Sequence, residues 1–188
     1  AGRSVSNIVR LQRSLGEESR LGAIGTDRRL DGGGSGTTAG IDGNLRLTQQ
    51  WRLQGQAVWS HSVEPDDPAL TAGLEGLTFD GGRHTAVFDG ESYSGQAYYG
   101  SLQRRGRRWN LNLDWTDRSP TFRADSGFEP QNDLREAWII NGYNIYFDRG
   151  LLQRVSNHLY LRRAWNHADA VKNNFLQADV APRFRWAQ

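Results

Sequence analysis

Four histidines, His61, His84, His158 and His167, are the only imidazoles in the chain, and it has no cysteine. Imidazole and thiolate are the usual ligands of transition metals, and such sites set them at close spacing, as in His-x-x-x-His. No such pair occurs. His158 and His167 fall at different heights of one hairpin, so no transition-metal centre is expected. Glu64, Asp66 and Asp67 stand near glycines and offer the oxygen ligands that Ca²⁺ takes. They lack an Asp-x-Asp-x-Asp-Gly loop, and solvated loop acids are the expectation. No serine occupies a Gly-x-Ser-x-Gly turn; Ser94-Gly95 and Ser126-Gly127 read as strand and turn features. The glycines from Gly32 to Gly36 lack the Gly-Lys-Ser/Thr that cradles phosphate. Nothing assembles a nucleophile, a base and an orienting group, so the chain reads as non-enzymatic and without a cofactor.

One set of polar residues does recur at fixed spacing. Asp42, Asn44 and Arg46, then Arg52, Gln54 and Gln56, then Asn110, Asn112 and Asp114 each occupy every second position of a segment. Strand side chains alternate between faces, so these nine residues share a side that faces water. They are the candidate lumen-facing residues of a pore that sorts solutes by size and charge, or of a generic wet barrel interior. Their mixed signs argue against strong selectivity for anions or cations.

The elements that position them are alternating strands. In Trp109–Trp115 the apolar residues Trp109, Leu111, Leu113 and Trp115 oppose Asn110, Asn112 and Asp114. In Trp51–Ser60 the residues Trp51, Leu53, Gly55, Ala57 and Trp59 oppose Arg52, Gln54, Gln56 and Ser60, with Val58 as the exception. Tryptophan at both ends of an apolar face, with aliphatic residues between, is the layout of a membrane-spanning strand with interface aromatics. Trp51, Trp59, Trp109 and Trp115 are therefore the candidate membrane-interface residues.

Composition agrees with this class. Glycine is abundant at 22 residues, aromatics reach 11%, and hydrophobic content is 37% with mean hydropathy −0.71. No apolar run approaches the length of a transmembrane helix, whereas a barrel strand needs only alternate residues apolar. The net charge of +2 is too small to suggest nucleic acid. The chain has no methionine and is expected to be an internal or processed segment.

Connections are expected to alternate short and long, with long loops near 28–36, 61–91 and 118–133. A short strand or amphipathic turn is expected within Leu70–Phe79 or His84–Phe88. Tight turns at one end and long loops at the other describe an up-and-down meander. The expectation is a single all-β, antiparallel segment over 1–188, of about nine strands, in a transmembrane β-barrel. Pro182, within Phe175–Trp186, demotes that strand to an edge or marks a bulge.

Several runs carry a family resemblance. They are Ile8-Val9-Arg10-Leu11-Gln12-Arg13-Ser14-Leu15-Gly16, Leu21-Gly22-Ala23-Ile24-Gly25-Thr26-Asp27-Arg28, Ala39-Gly40-Ile41-Asp42, and the segment from Phe122 to Asp133. Together they resemble a bacterial outer-membrane-barrel domain of unknown function that follows a family-9-type carbohydrate-binding domain. Many members carry arginine where this chain has Gln131, and the family has no established catalytic residues. The resemblance spans about Ile8 to Phe184 and implies the middle of a larger barrel in the bacterial outer membrane. It implies as partners the lipid bilayer with its lipopolysaccharide, and other segments or subunits that supply missing strands. The functional expectation is passive solute passage, or anchoring and display linked to carbohydrate binding. The alternatives are a soluble extracellular β-sandwich that binds glycans through exposed Trp and Tyr, and then a barrel-embedded hydrolase.

Overall fold

The computed structural model describes residues 3–126 and 131–186. Its strands in chain order are β1 (Ser4–Leu15), β2 (Ser19–Leu30), β3 (Ser35–Arg46), β4 (Trp51–Val63), β5 (Thr78–Phe79) and β6 (His84–Thr85). They continue as β7 (Ser92–Arg104), β8 (Trp109–Arg118), β9 (Leu134–Tyr146), β10 (Leu152–Trp165) and β11 (Val171–Phe184). The nine long strands form one antiparallel sheet in which each pairs with its neighbours in order, and β5 and β6 form a separate small ribbon. The chain is thus an all-β antiparallel meander. Among the described residues β1 and β11 are not paired with each other, so these nine strands do not close into a barrel.

The registers explain why the alternation holds. Arg46 pairs with Arg52, Asn44 with Gln54 and Asp42 with Gln56, so the polar positions of β3 and β4 coincide. Gln56 then pairs with Tyr99, and Ser101 with Asp114, carrying the same face across β7 into β8. A slip of one residue would turn every apolar side chain to the wrong side. Among the described residues, register shifts occur only between β10 and β11, and Pro182 lies in β11, which is an edge strand. That is where a residue without an N–H is tolerated.

One connection differs from expectation. The loop expected over 28–36 shrinks to the residues between Leu30 and Ser35, because β2 and β3 pair up to Arg29 with Ser35. Gly33 and Gly34 both have φ of 88°, and Leu30 N–H donates to the Gly34 carbonyl at 3.1 Å. Glycine adopts that backbone without steric cost, so a glycine-rich run makes a tight turn rather than a long loop. The β10–β11 connection is short as well, since β11 starts at Val171, and Asp169 turns the chain with φ of 59°. Long connections remain in two places. One is 64–91, which carries the 3₁₀ turns Pro68–Thr71 and Asp80–Gly82 together with β5 and β6. The other is 119–133, of which Gly127, Phe128, Glu129 and Pro130 lie outside the described residues.

Burial is one-sided. Thr38, Val58, Ser60, Ser62, Tyr93, Ser101, Leu134, Ser156 and Ala164 are all buried, and all lie on the polar face. On the opposite face Val9, Leu11, Ile41, Leu176 and Val180 are each more than half exposed. A sheet that curls toward one face crowds the side chains there and spreads those on the other. The polar face is the concave one.

Candidate functional site

All nine candidate lumen-facing residues lie on the concave face, from Asp42, Asn44 and Arg46 through Arg52, Gln54 and Gln56 to Asn110, Asn112 and Asp114. Their charges are paired locally. Arg10 Nη2 meets Asp42 Oδ1 at 2.6 Å, reaching over Gly22 of the intervening strand. Glu18, in the β1–β2 turn, pairs with Arg46 and lies 3.5 Å from Arg52. Asp114 accepts from the Asn112 amide and, at 3.3 Å, from the Tyr99 hydroxyl. Glu136 accepts from Arg162 Nε at 2.9 Å, and that guanidinium lies over Trp138. The result is a wet wall of alternating, mutually compensated charge.

Trp51, Trp59, Trp109 and Trp115 all lie on the opposite face. Trp51 and Trp109 open β4 and β8 at the tight-turn end, 6.1 Å apart and edge-on. Trp109 Nε1 donates to Asn141 at 2.8 Å. Toward the other end Trp59 meets Tyr98 at 6.4 Å and Trp115 meets Trp165 at 5.6 Å. Trp59, Trp109 and Trp115 are 45%, 36% and 40% exposed, and no second sheet covers them among the described residues. Trp51 and Trp59 are separated by about 26 Å of strand at about 3.3 Å per residue.

The connection after β8 does not stay outside. From Ser119 to Ser126 it folds back across the mouth of the concave face. The Thr121 hydroxyl donates to the Ser94 carbonyl at 2.7 Å, and Arg123 N–H donates to Ser60 Oγ at 3.1 Å. Ser62 Oγ donates to Asp125 Oδ2 at 2.9 Å, and Arg28 Nη1 donates to the Asp125 carbonyl at 2.7 Å. The loop therefore crosses β7, β4, β3 and β2 in turn. The strands leave room for it with small residues, since a β-carbon at Gly95 would overlap the Phe122 backbone and one at Gly36 the Asp125 carboxylate. Beneath Phe122 an apolar cleft of about 400 Å³ is lined by Ile24, Val58, Ala97 and Ala124. Val58 breaks the alternation of β4 because it serves this cleft.

A second cluster stands beside the loop at the same mouth. Tyr93 OH donates to Glu64 Oε1 at 2.6 Å, and both residues are buried. Burial pushes the Glu64 carboxyl above its ordinary value, against the lowering effect of the Tyr93 hydrogen bond. Phe79 meets Tyr93 edge-on at 5.5 Å and stacks on His84 at 5.3 Å, and His84 Nδ1 lies 3.1 Å from Glu91. The Arg123 guanidinium sits 4.8 Å from the Phe79 ring centre and 5.2 Å from that of Tyr93. Each is within cation–π range. The long 64–91 connection is thereby tied to the inward loop.

His167, in the β10–β11 turn, bridges two carboxylates: Nδ1 lies 3.1 Å from Asp133 and Nε2 lies 3.0 Å from Asp117. Burial works against the charge on Asp133. The His167 backbone N–H and imidazole, with the Lys172 ammonium, outweigh it and hold the carboxyl below its ordinary value. A histidine whose two ring nitrogens each face a carboxylate ties the β10–β11 turn to the end of β8 and the start of β9. Among the described residues no group of three His, Asp or Glu side chains is arranged to hold a metal ion. Glu64, Asp66 and Asp67 do not converge. Glu64 bonds Tyr93, while Asp66 forms a backbone bridge with Asp89. His61 Nδ1 and Ser94 Oγ are 3.0 Å apart, but no carboxylate orients the other imidazole nitrogen among the described residues. The pair lacks the third member that a hydrolytic triad needs.

Arg28, Glu64, Tyr93, Arg123 and Asp125 are site residues that alternation could not reveal, because loops bring them together. The available signal was the run of small inward positions at strand ends: Gly36, Ser60, Ser62 and Gly95. No family model matches the chain, and no curated protein or solved structure is similar to it.

Proposed function

We propose that the chain is part of a larger β-barrel in the bacterial outer membrane, with a wet interior that passes small solutes passively through a mouth narrowed by the 119–126 loop. One observation carries this reading: exposed aliphatic side chains line the convex face, and only Val58, Tyr93, Phe122, Leu134 and Ala164 are buried apolar residues among those described. Water does not tolerate so large a continuous apolar surface, and a bilayer provides its solvent. Aromatics at both ends of that surface match the two interfacial girdles of a membrane barrel. The partners on this reading are lipid, with lipopolysaccharide in the outer leaflet, and further strands against β1 and β11. Lipid does not accept unpaired strand edges.

The resemblance to an outer-membrane domain that follows a family-9-type carbohydrate-binding domain supports the same location and adds a carbohydrate-linked role. The compensated charges along the concave wall favour weak ion selectivity. The soluble glycan-binding sandwich requires a second sheet over Trp51, Trp59, Trp109 and Trp115, and none lies there among the described residues. A hydrolase requires an oriented nucleophile, and no His–Ser pair with an orienting carboxylate occurs among the described residues.

Planar-bilayer recording of the reconstituted protein tests the proposal. Insertion with small, weakly selective conductance steps in KCl is the expected result. Insertion with no conductance for any ion or solute assigns the barrel to anchoring and display instead. A protein that stays in the aqueous phase without detergent, and does not insert, overturns both roles.

A further inference from the structure

The two ends of the sheet carry opposite charge. At the tight-turn end, Arg104-Arg105-Gly106-Arg107-Arg108 makes the β7–β8 connection, and segments 13–20, 46–52, 147–154 and 183–185 add eight more arginines. The only acids in these segments are Glu17, Glu18 and Asp148. Among the described residues only Arg46 and Arg52 find a carboxylate partner at this end, and both find it in Glu18. At the opposite end the 64–91 connection holds seven acids against one arginine, Arg83. So dense an excess of one sign repels itself and attracts counter-charge.

The basic rim is also apolar. Leu15 leads into the β1–β2 turn, Leu47 stands in the β3–β4 turn, Phe147 and Leu151 stand in the β9–β10 turn, and Trp186 follows β11. All five are exposed, Leu151 and Trp186 by more than two thirds. In the remaining turn two guanidiniums lie over aromatic rings, Arg104 at 4.5 Å from the centre of Trp109 and Arg107 at 4.9 Å from that of Tyr146. An acidic protein or a polynucleotide would call for the charge alone. Arginines interleaved with exposed aromatic and aliphatic side chains fit a surface that is anionic outside and apolar just beneath, which is the boundary of a bilayer. The planar guanidinium also matches a phosphate with two parallel hydrogen bonds.

We propose that the tight-turn rim binds the head groups of anionic phospholipids, its arginines donating to the lipid phosphates while Leu47, Leu151 and Trp186 enter the head-group boundary. This rests on the outer-membrane barrel reading, in which tight turns face the periplasm. To that reading it adds a head-group preference and the end of the barrel that holds it.

The test uses two variants, one retaining only Trp109, at the basic rim, and one retaining only Trp59, toward the acidic end. Each is folded into phosphatidylcholine vesicles in which the same fraction of lipid is replaced by brominated phosphatidylglycerol or by brominated phosphatidylcholine. The association constant read from Trp109 quenching is expected to favour phosphatidylglycerol by about fivefold, the worth of one arginine near an anionic surface. Trp59 should show no preference. High salt should abolish the difference at Trp109. Arg105→Gln combined with Arg108→Gln should remove most of it, with insertion and circular dichroism unchanged. Equal quenching of Trp109 by the two lipids, the same preference at Trp59, or a preference that survives both high salt and the double variant overturns the head-group site and leaves the barrel reading standing. Quenching of neither tryptophan by either lipid overturns the barrel reading and this site with it.

Discussion

The backbone of Phe122 lies against the α-carbon of Gly95, so closely that a β-carbon at position 95 would overlap it. A strand interior is an unfavourable place for glycine, and valine there would suit the sheet better. Gly95→Val therefore separates sheet from loop. It is expected to leave β7 intact and to expel the 119–126 segment, at about 1–3 kcal/mol. Limited trypsinolysis checks this, because cleavage after Arg118 and Arg123 should speed up in the variant while circular dichroism stays the same.

Gly22 plays the same part for a charge pair. A β-carbon there would fall 2.7 Å from Asp42 Oδ1 and 2.8 Å from Arg10 Nη2. The Arg10 and Asp42 side chains are 41% and 23% exposed, so their pair is worth about 0.2–1 kcal/mol, screened by salt. Asp42→Asn should lower stability by no more than this, and the difference should shrink in high salt. Gly22→Val should lower it further, because displacing the pair adds steric conflict in both low and high salt. Denaturant titration at two ionic strengths distinguishes the two.

Two loop carboxylates give opposite pH dependences. The Asp133 carboxyl is held below its ordinary value of 3.8, so its ionised contacts with His167 stabilise the fold above that pH and are lost as pH falls through the lowered value. Asp133→Asn should remove this acid-side loss. The Glu64 carboxyl is raised above its ordinary value of 4.5, so its charge is a burden at neutral pH that is relieved on acidification. Glu64→Gln should be neutral or stabilising at pH 7, and any gain should vanish as pH approaches 4.5. Unfolding midpoints of wild type and both variants from pH 3 to pH 8 check the two signs.

The strand framework was legible in the sequence because alternation with period two is local: Asn110, Asn112 and Asp114 needed only their own strand to show which way they face. The loops were not. A glycine-rich run reads as a long loop, yet Gly33 and Gly34 make a tight turn. Nothing within the segment Phe122 to Asp125 announces that it turns inward, since its partners Ser60, Ser62 and Gly95 are remote in sequence. Val58 was visible only as an irregularity, and its reason is the Phe122 cleft. Glu64 was noticed as a hard-ligand acid, whereas its partner is Tyr93 in the next long strand.

Ile41, in the middle of β3, is 57% exposed on the convex face. Ile41→Arg should cost about 2–4 kcal/mol if that position faces the middle of a bilayer. An exposed site in water would register within about 0.5 kcal/mol. Reversible unfolding from liposomes gives the difference directly.

The proposal that the convex face meets lipid is tested most directly by tryptophan placement. Trp59 lies on the convex face, whereas Trp138 lies on the concave face, paired in register with Asp114 and Arg162. Two variants, each retaining only one of these tryptophans, can be folded into vesicles containing lipids brominated on the acyl chains. Strong quenching of Trp59 with little quenching of Trp138 is the result this account predicts. Equal quenching of both, quenching of Trp138 alone, or none at all would contradict it.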